Sequence, residues 1–189
     1  MAENEKKRID PRVLRTRQML KEALIELLEE MDVEKITVNR IAERATINRV
    51  TFYLHYKDIQ DMLEKMADEM AENVNRVMMR TIEQHKSGDR ETLLLGLLEH
   101  IAANAKFYKV VLGSRRIPVF HERLRSVFVD KIKLGIEEIE EHNPDIQSDV
   151  AVWFGSAALI GTISAWLRND MPYTAPFMAR QFALLFKQR

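Results

Sequence analysis

Residues 37–57 read Thr-Val-Asn-Arg-Ile-Ala-Glu-Arg-Ala-Thr-Ile-Asn-Arg-Val-Thr-Phe-Tyr-Leu-His-Tyr-Lys, and the chemistry they suit is the recognition of nucleic acid. Two short apolar patterns lie within this stretch. Val38, Ile41/Ala42 and Ala45 form the first; the second is centred on Asn48 to Leu54. Two short helices a few residues apart are the geometry of a helix-turn-helix, whose second helix lies in the major groove of DNA. Ile41, Ala42, Ile47 and Leu54 are the apolar residues expected to lock the pair together. The remaining residues of the second helix, Asn48, Arg49, Thr51, Tyr53, His55 and Lys57, are mostly polar hydrogen-bonders or basic. An ordinary solvated helix face is the plainer alternative. It does not account for Tyr53, His55 and Tyr56 clustering beside Arg49 and Lys57, a mixture that suits phosphate oxygens.

Other chemistry finds little support. The six glycines, at 88, 96, 113, 135, 155 and 161, allow neither a dinucleotide fingerprint nor a phosphate loop. No nucleophile elbow of the Gly-x-Ser-x-Gly type exists. None of the five histidines follows a glutamate by three residues, the spacing of helical di-metal sites, and His121-Glu122 lacks the second histidine of a zinc-protease helix. Zero cysteines exclude a disulfide framework, an iron–sulfur cluster and a thiol nucleophile. No enzyme activity, cofactor or metal is expected.

The elements that must position the motif are helical throughout. Leu20, Ala23/Leu24, Leu27/Leu28 and Met31 make one stripe, and Asp10-Pro11 is a natural helix start, which predicts a helix over 11–31. Thr37 reads as the N-cap of the second helix, and Asp58 with Asp61 as the capping pair of a long fourth. The stripe Ile59, Met62/Leu63, Met66, Met70, Val74 and Val77 carries that helix to about Gln84, before a Ser87-Gly88-Asp89 turn. Leu93, Leu97/Leu98, Ile101 and Ala105 predict a fifth helix, Phe107 to Leu112 a sixth, and Leu124 through Ile139 a seventh stopped at Asn143-Pro144. Val150–Leu167 is the eighth, broken by Asn169-Asp170-Met171-Pro172, and Thr174 caps the last. No alternating strand pattern appears. The chain reads as all-α with about nine helices: a DNA-binding domain over 11–58 and a second helical domain over 59–189.

In all, the 189 residues carry 29 basic and 29 acidic side chains. Zero net charge rules out a bulk polycation but not a local basic face. The first 21 residues hold seven basic residues against three acids, an excess that would make DNA binding salt-sensitive; residues 1–7 read as a solvated tail. The charged start, without an apolar run, predicts no signal peptide and a cytoplasmic location. Val150–Leu167 is 18 uncharged residues, the lower bound for a membrane span, but its Gly155, Ser156, Ala157, Ala158, Gly161, Thr162, Ser164 and Ala165 suit a buried bundle helix better.

Ile36-Thr37, Ile41-Ala42, Ala45, Thr51-Phe52-Tyr53, His55-Tyr56-Lys57 and Leu63 together resemble the TetR family of bacterial transcriptional regulators. Good resemblance covers about residues 14–74; beyond it, Trp166-Leu-Arg-Asn-Asp-Met-Pro172 is similar to a segment of one regulatory-domain subgroup. The resemblance implies a homodimeric DNA-binding regulator with an effector-binding and dimerisation domain over 59–189, acting as a repressor that a small-molecule effector releases from a palindromic operator. It places Thr37 on a phosphate and Asn39 at a base edge. Asn48, Arg49, Val50 and Thr51 become base-facing candidates, since arginine grips guanine with two bonds and a valine or threonine methyl packs on thymine. Tyr53, His55 and Lys57 match phosphate-contacting positions. Thr46 departs from the pattern, standing where the family usually has glycine. A β-branched residue suits a positive φ poorly, so either Thr46 is strained or the second helix ends differently.

One helix-turn-helix reads few base pairs, so specificity implies two copies and half-sites roughly 34–36 Å apart. The expected dimer interface draws on the eighth and last helices through Gly155, Ala158, Gly161 and Phe182. Candidates for the effector site are Met66, Phe107, Tyr108, Val111, Phe120, Phe128 and Trp153, with plain core packing the alternative for each. The family mechanism is a population shift in which ligand moves the fourth helix. A helical ligand-binding co-regulator that no longer binds DNA is the competing reading, motivated by Thr46 and the neutral charge.

Overall fold

The computed structural model describes residues 10–85, 90–114, 116–134 and 145–186. Among them every regular element is helical, and the chain divides into two compact units, Met1–Leu63 and Glu64–Arg189. The predicted Ser87-Gly88-Asp89 turn, the far end of the predicted seventh helix and residues 1–7 lie outside the described residues.

In the first unit, α1 spans Pro11–Glu30. The Asp10 carboxylate accepts from the Arg12 amide at 2.8 Å, satisfying one of the donors a helix start leaves unpaired. Leu20, Ala23, Leu24 and Leu27 form its buried face, as their spacing requires. A single 3₁₀ turn, Val33–Lys35, leads to α2, Val38–Arg44, capped by the Thr37 hydroxyl on the Arg40 amide (3.3 Å). The α3 helix is short, Arg49–Tyr53, and Asn48 caps it by accepting from the Val50 amide (2.8 Å). Next, α4 runs Ile59–His85. At its start Asp58 accepts from the Asp61 amide (2.8 Å) while the Asp61 carboxylate accepts from the Lys57 amide (2.9 Å), a reciprocal cap.

The α2–α3 turn settles how Thr46 is accommodated. The Ile47 amide donates to the Ala42 carbonyl (2.9 Å) and the Thr46 amide to the Glu43 carbonyl (3.1 Å). That is the closure a C-terminal glycine normally provides. Thr46 makes it at φ 54°, so the helix ends as glycine would end it and the β-branched side chain bears the strain. Left-handed backbone costs a side-chain-bearing residue about 1–2 kcal/mol. Glycine's extra unfolded-state entropy returns about 0.5–1 kcal/mol of that. Thr46→Gly is therefore expected to stabilise by about 1 kcal/mol, a rise of roughly 4 °C or more in the first unit's melting midpoint. Thermal unfolding followed by circular dichroism checks this, and a lower midpoint in the variant would refute the strain argument.

In the second unit α5 (Arg90–Ala103) packs on α9 (Ala175–Leu185), while α8 (Ser148–Arg168) packs on both α7 (Pro118–Leu134) and α6 (Ala105–Gly113). Ala105 belongs to α6, not to the end of the fifth helix. Asn104 breaks the chain there, its side-chain amide donating back to the His100 carbonyl at 2.8 Å. Leu97, Leu98, Ile101, Tyr108, Phe120, Phe128, Ile163 and Phe182 are buried and form the core. Met66 is buried too, on the α4 part of this unit. The uncharged helix α8 is long and apolar enough to cross a membrane, yet 44% of its most apolar window is buried within the fold, including Ser156 and Ser164. After it, Asp170 and Met171 both adopt positive φ, and the Met171 amide reaches the Trp166 carbonyl at 2.9 Å.

Candidate nucleic-acid interface

Position along α3 decides which of its side chains reach outward. Phe52 is fully buried and meets the rings of Tyr53 (5.5 Å) and Tyr56 (5.6 Å). Ile41 and Ala42 of α2 are buried, and Ile47 is half-buried. Leu54 is not part of this lock. It is 77% exposed, because the helix ends at Tyr53 and leaves it on the outer side, so Phe52 takes the anchoring place expected of Leu54. Tyr56 likewise leaves the surface cluster and is buried.

The outward face carries Asn48, Arg49, Val50 and Tyr53, all exposed, with Thr51 half-buried beside them. Arg49 Nη2 donates to the Tyr53 hydroxyl at 3.1 Å, and its Cζ lies 5.5 Å from the Tyr53 ring centroid. This cation–π contact orients the guanidinium on a surface otherwise open to solvent. Asn48 spends its carbonyl oxygen on the cap, which leaves its amide hydrogens pointing away from the helix start. Val50, 67% exposed, is an unusual residue for a solvated face, though an apolar group there suits a thymine methyl. Thr37 and Asn39 are exposed at the start of α2.

His55 is half-buried, and Lys57 is exposed with its amide held by Asp61. Burial, then the neighbouring Arg17 charge, holds the His55 imidazole below the usual histidine range. Both influences favour the neutral imidazole. Arg17 on α1 is the residue that sequence reasoning placed only in a general basic patch. Its Nε is buried with no hydrogen-bond acceptor among the described residues. The fold brings it beside His55, a proximity across some forty residues that helical spacing cannot announce. The α2 cations are spent internally: Arg44 pairs with Glu30 (2.7 Å) and Glu26 (3.3 Å), and Arg40 donates to the Lys35 carbonyl (2.6 Å).

In the second unit the expected effector residues are mostly solid core. Tyr108, Val111 and Phe120 are buried; Phe107 stacks edge-on against Phe120 (5.8 Å) and Tyr108 (5.3 Å). The Tyr108 hydroxyl lies 3.0 Å from His100 Nε2, and burial pushes the tyrosine up and the histidine down from their usual ranges. Of the expected residues Phe128 lines the unit's apolar cavity of about 530 Å³, whereas Trp153 stands 61% exposed on α8. Among the residues expected at a dimer interface, Gly155 is buried, with Ile132 Cδ1 only 3.1 Å from where its Cβ would sit, and Phe182 is buried in the core. Ala158 is half-buried and Gly161 exposed.

A helix-turn-helix unit followed by an all-helical second unit is the build of a bacterial one-chain transcriptional regulator. Residues 20–66 match the model of bacterial regulatory proteins of the tetR family, and residues 89–188 match that of a transcriptional regulator C-terminal region. The chain belongs to the TetR family. A Bacillus subtilis (strain 168) protein described as the uncharacterized HTH-type transcriptional regulator YxbF is 25% identical over 155 residues, 80% of this chain. The chain spans 39% of that relative's length. The fold is shared with a TetR transcriptional regulator of Streptococcus agalactiae 2603V (TM-score 0.71, 23% identity, covering 95% of this chain and 97% of that one). It is shared as well with the regulator FadR of Bacillus subtilis, solved in complex with stearoyl-CoA (TM-score 0.68, 17% identity, 89% and 96% covered).

Proposed function

We propose that the protein is a homodimeric, cytoplasmic repressor that binds a palindromic DNA operator and is released from it by a small molecule. The observation that carries this reading is the outward face of α3, where Asn48, Arg49, Val50 and Tyr53 are exposed over the buried Phe52. Arg49 serves as the bidentate base reader, with Asn48, Val50 and Thr51 as its neighbours on base edges. Thr37, Tyr53, His55, Lys57 and Arg17 hold phosphates, and Asn39 reaches a base edge from α2. Because Thr46 closes its turn as glycine would, nothing in the turn favours the co-regulator alternative. Selection of duplexes from a random pool tests the proposal: enrichment of a palindrome supports it, and no enrichment defeats it.

Two rows of exposed apolar side chains support dimerisation. Val150, Trp153 and Phe154 lie at helical spacing on α8, and Phe177 and Leu184 on α9. Exposed apolar rows of this kind mark an interface. The dimer face thus passes from the buried Gly155 and Phe182 to these residues, with Gly161 and Ala158 beside them. Trp153→Arg places a charge in that face, and its central position predicts a dimer dissociation constant raised at least about thirty-fold. Sedimentation velocity reads the result: wild type as dimer, the variant as folded monomer. A variant as dimeric as wild type would remove Trp153 from the interface.

Ligand response is supported by the apolar cavity of the second unit and by the stearoyl-CoA complex of the similarly folded FadR. The ligand acts through unequal affinity for the DNA-competent and released states.

A further inference from the structure

We infer that the cavity among α5, α7, α8 and α9 binds a single-chain amphiphile with a carboxylate head, of the long-chain fatty-acid class. The inference rests on the ligand-responsive reading above and supplies the chemistry of that ligand. At about 530 Å³ the cavity is large enough for such a molecule, since small-molecule sites run to roughly 300–1,000 Å³. Leu94, Leu97, Phe128, Ile132 and Leu159 make walls with nothing to hydrogen-bond, which suits a hydrocarbon chain and offers no partner to a polar body.

Charge decides the head. Among the described residues, the ionisable ones lining the cavity are Arg90 and Lys131, both cationic, and none is an acid. Arg90 donates to the Phe186 carbonyl at the end of α9 (3.2 Å), which holds the guanidinium at the cavity. Lys131 is half-buried along its stem, and its ammonium, at the exposed end, donates to the Met79 sulfur at 3.4 Å. A thioether is a weak acceptor, and no carboxylate among the described residues pairs with this lysine. An anionic head at this wall gains a charge-assisted hydrogen bond that a thioether cannot match. A neutral apolar ligand would forgo that bond; a cationic one would be repelled.

Calorimetric titration of the full chain, without DNA, tests the assignment with dodecanoate and 1-dodecanol, which share a chain and differ in the head. Saturable dodecanoate binding, about ten-fold or more tighter than that of the alcohol, is expected. Lys131→Gln should bring the two to within about two-fold of each other. No saturable dodecanoate binding, equal affinity for acid and alcohol, or a preference that survives in Lys131→Gln would each overturn the inference. Its failure is separable from that of the regulator reading. A chain that selects a palindrome yet ignores dodecanoate loses only this site, and one that binds dodecanoate but no duplex keeps the site and loses the repressor.

Discussion

Arg49→Ala is expected to abolish operator selection while leaving the protein folded and dimeric. A well-placed arginine on a guanine edge discriminates by about 1–3 kcal/mol per contact. A dimer makes the contact twice, so the selected duplex should lose about 2–6 kcal/mol, roughly thirty-fold to ten-thousand-fold in affinity. Non-specific binding should change far less, because phosphate contacts through the basic face remain. The specificity ratio at fixed salt is thus the quantity to measure, by fluorescence anisotropy with the selected duplex and a scrambled one. Tyr53→Phe refines the reading. It keeps the ring beneath the guanidinium but removes the hydroxyl that accepts from Arg49, so its loss should be modest, about 0.5–1.5 kcal/mol. Unchanged discrimination in Arg49→Ala would show that α3 does not read bases through this residue.

Phe52→Ala should be the most damaging single change in the first unit. The ring is fully buried and packs against two others, and truncating such a residue costs about 3–5 kcal/mol. A unit of this size has little stability to lose, since small domains bury a smaller share of their surface. The variant is expected to unfold at residues 10–63 under conditions where wild type is intact, visible as new tryptic cleavage among the arginines and lysines of α1 to α3. Leu54→Ser is the informative partner. Leu54 ends α3 through its backbone alone and its side chain is exposed, so the change should shift stability by no more than about 0.5 kcal/mol. If Leu54→Ser proved as destabilising as Phe52→Ala, the assignment of the anchor would be wrong.

The contrast between Phe52 and Leu54 shows where reading the chain alone falls short. Both are apolar, two residues apart on an element of barely more than one turn, and over so short a span helical periodicity has too few repeats to fix a phase. The exact end of α3 decides which one points inward, and element boundaries depend on the tertiary packing that terminates them. Gly155 is a similar case. A small residue marks close approach, but the approaching helix is α7 of the same chain, and nothing local to residue 155 identifies its neighbour.

Where physics is local, the amino-acid order was sufficient. Asp10, Thr37, Asp58 and Thr174 each stand at a helix start because a side-chain oxygen must meet orphan amides within a few residues, and long apolar stripes define α1 and α4 whatever surrounds them. The helix-turn-helix, the all-α class and the family follow from such short-range signals. What required the folded chain was everything that joins distant residues: Arg17 beside His55, the burial of Tyr108, Val111 and Phe120 together in one core, and an apolar hollow with Arg90 and Lys131 at its wall. Those depend on how helices far apart in sequence come to lie together, and pair contacts across dozens of residues leave no periodic trace in the chain itself.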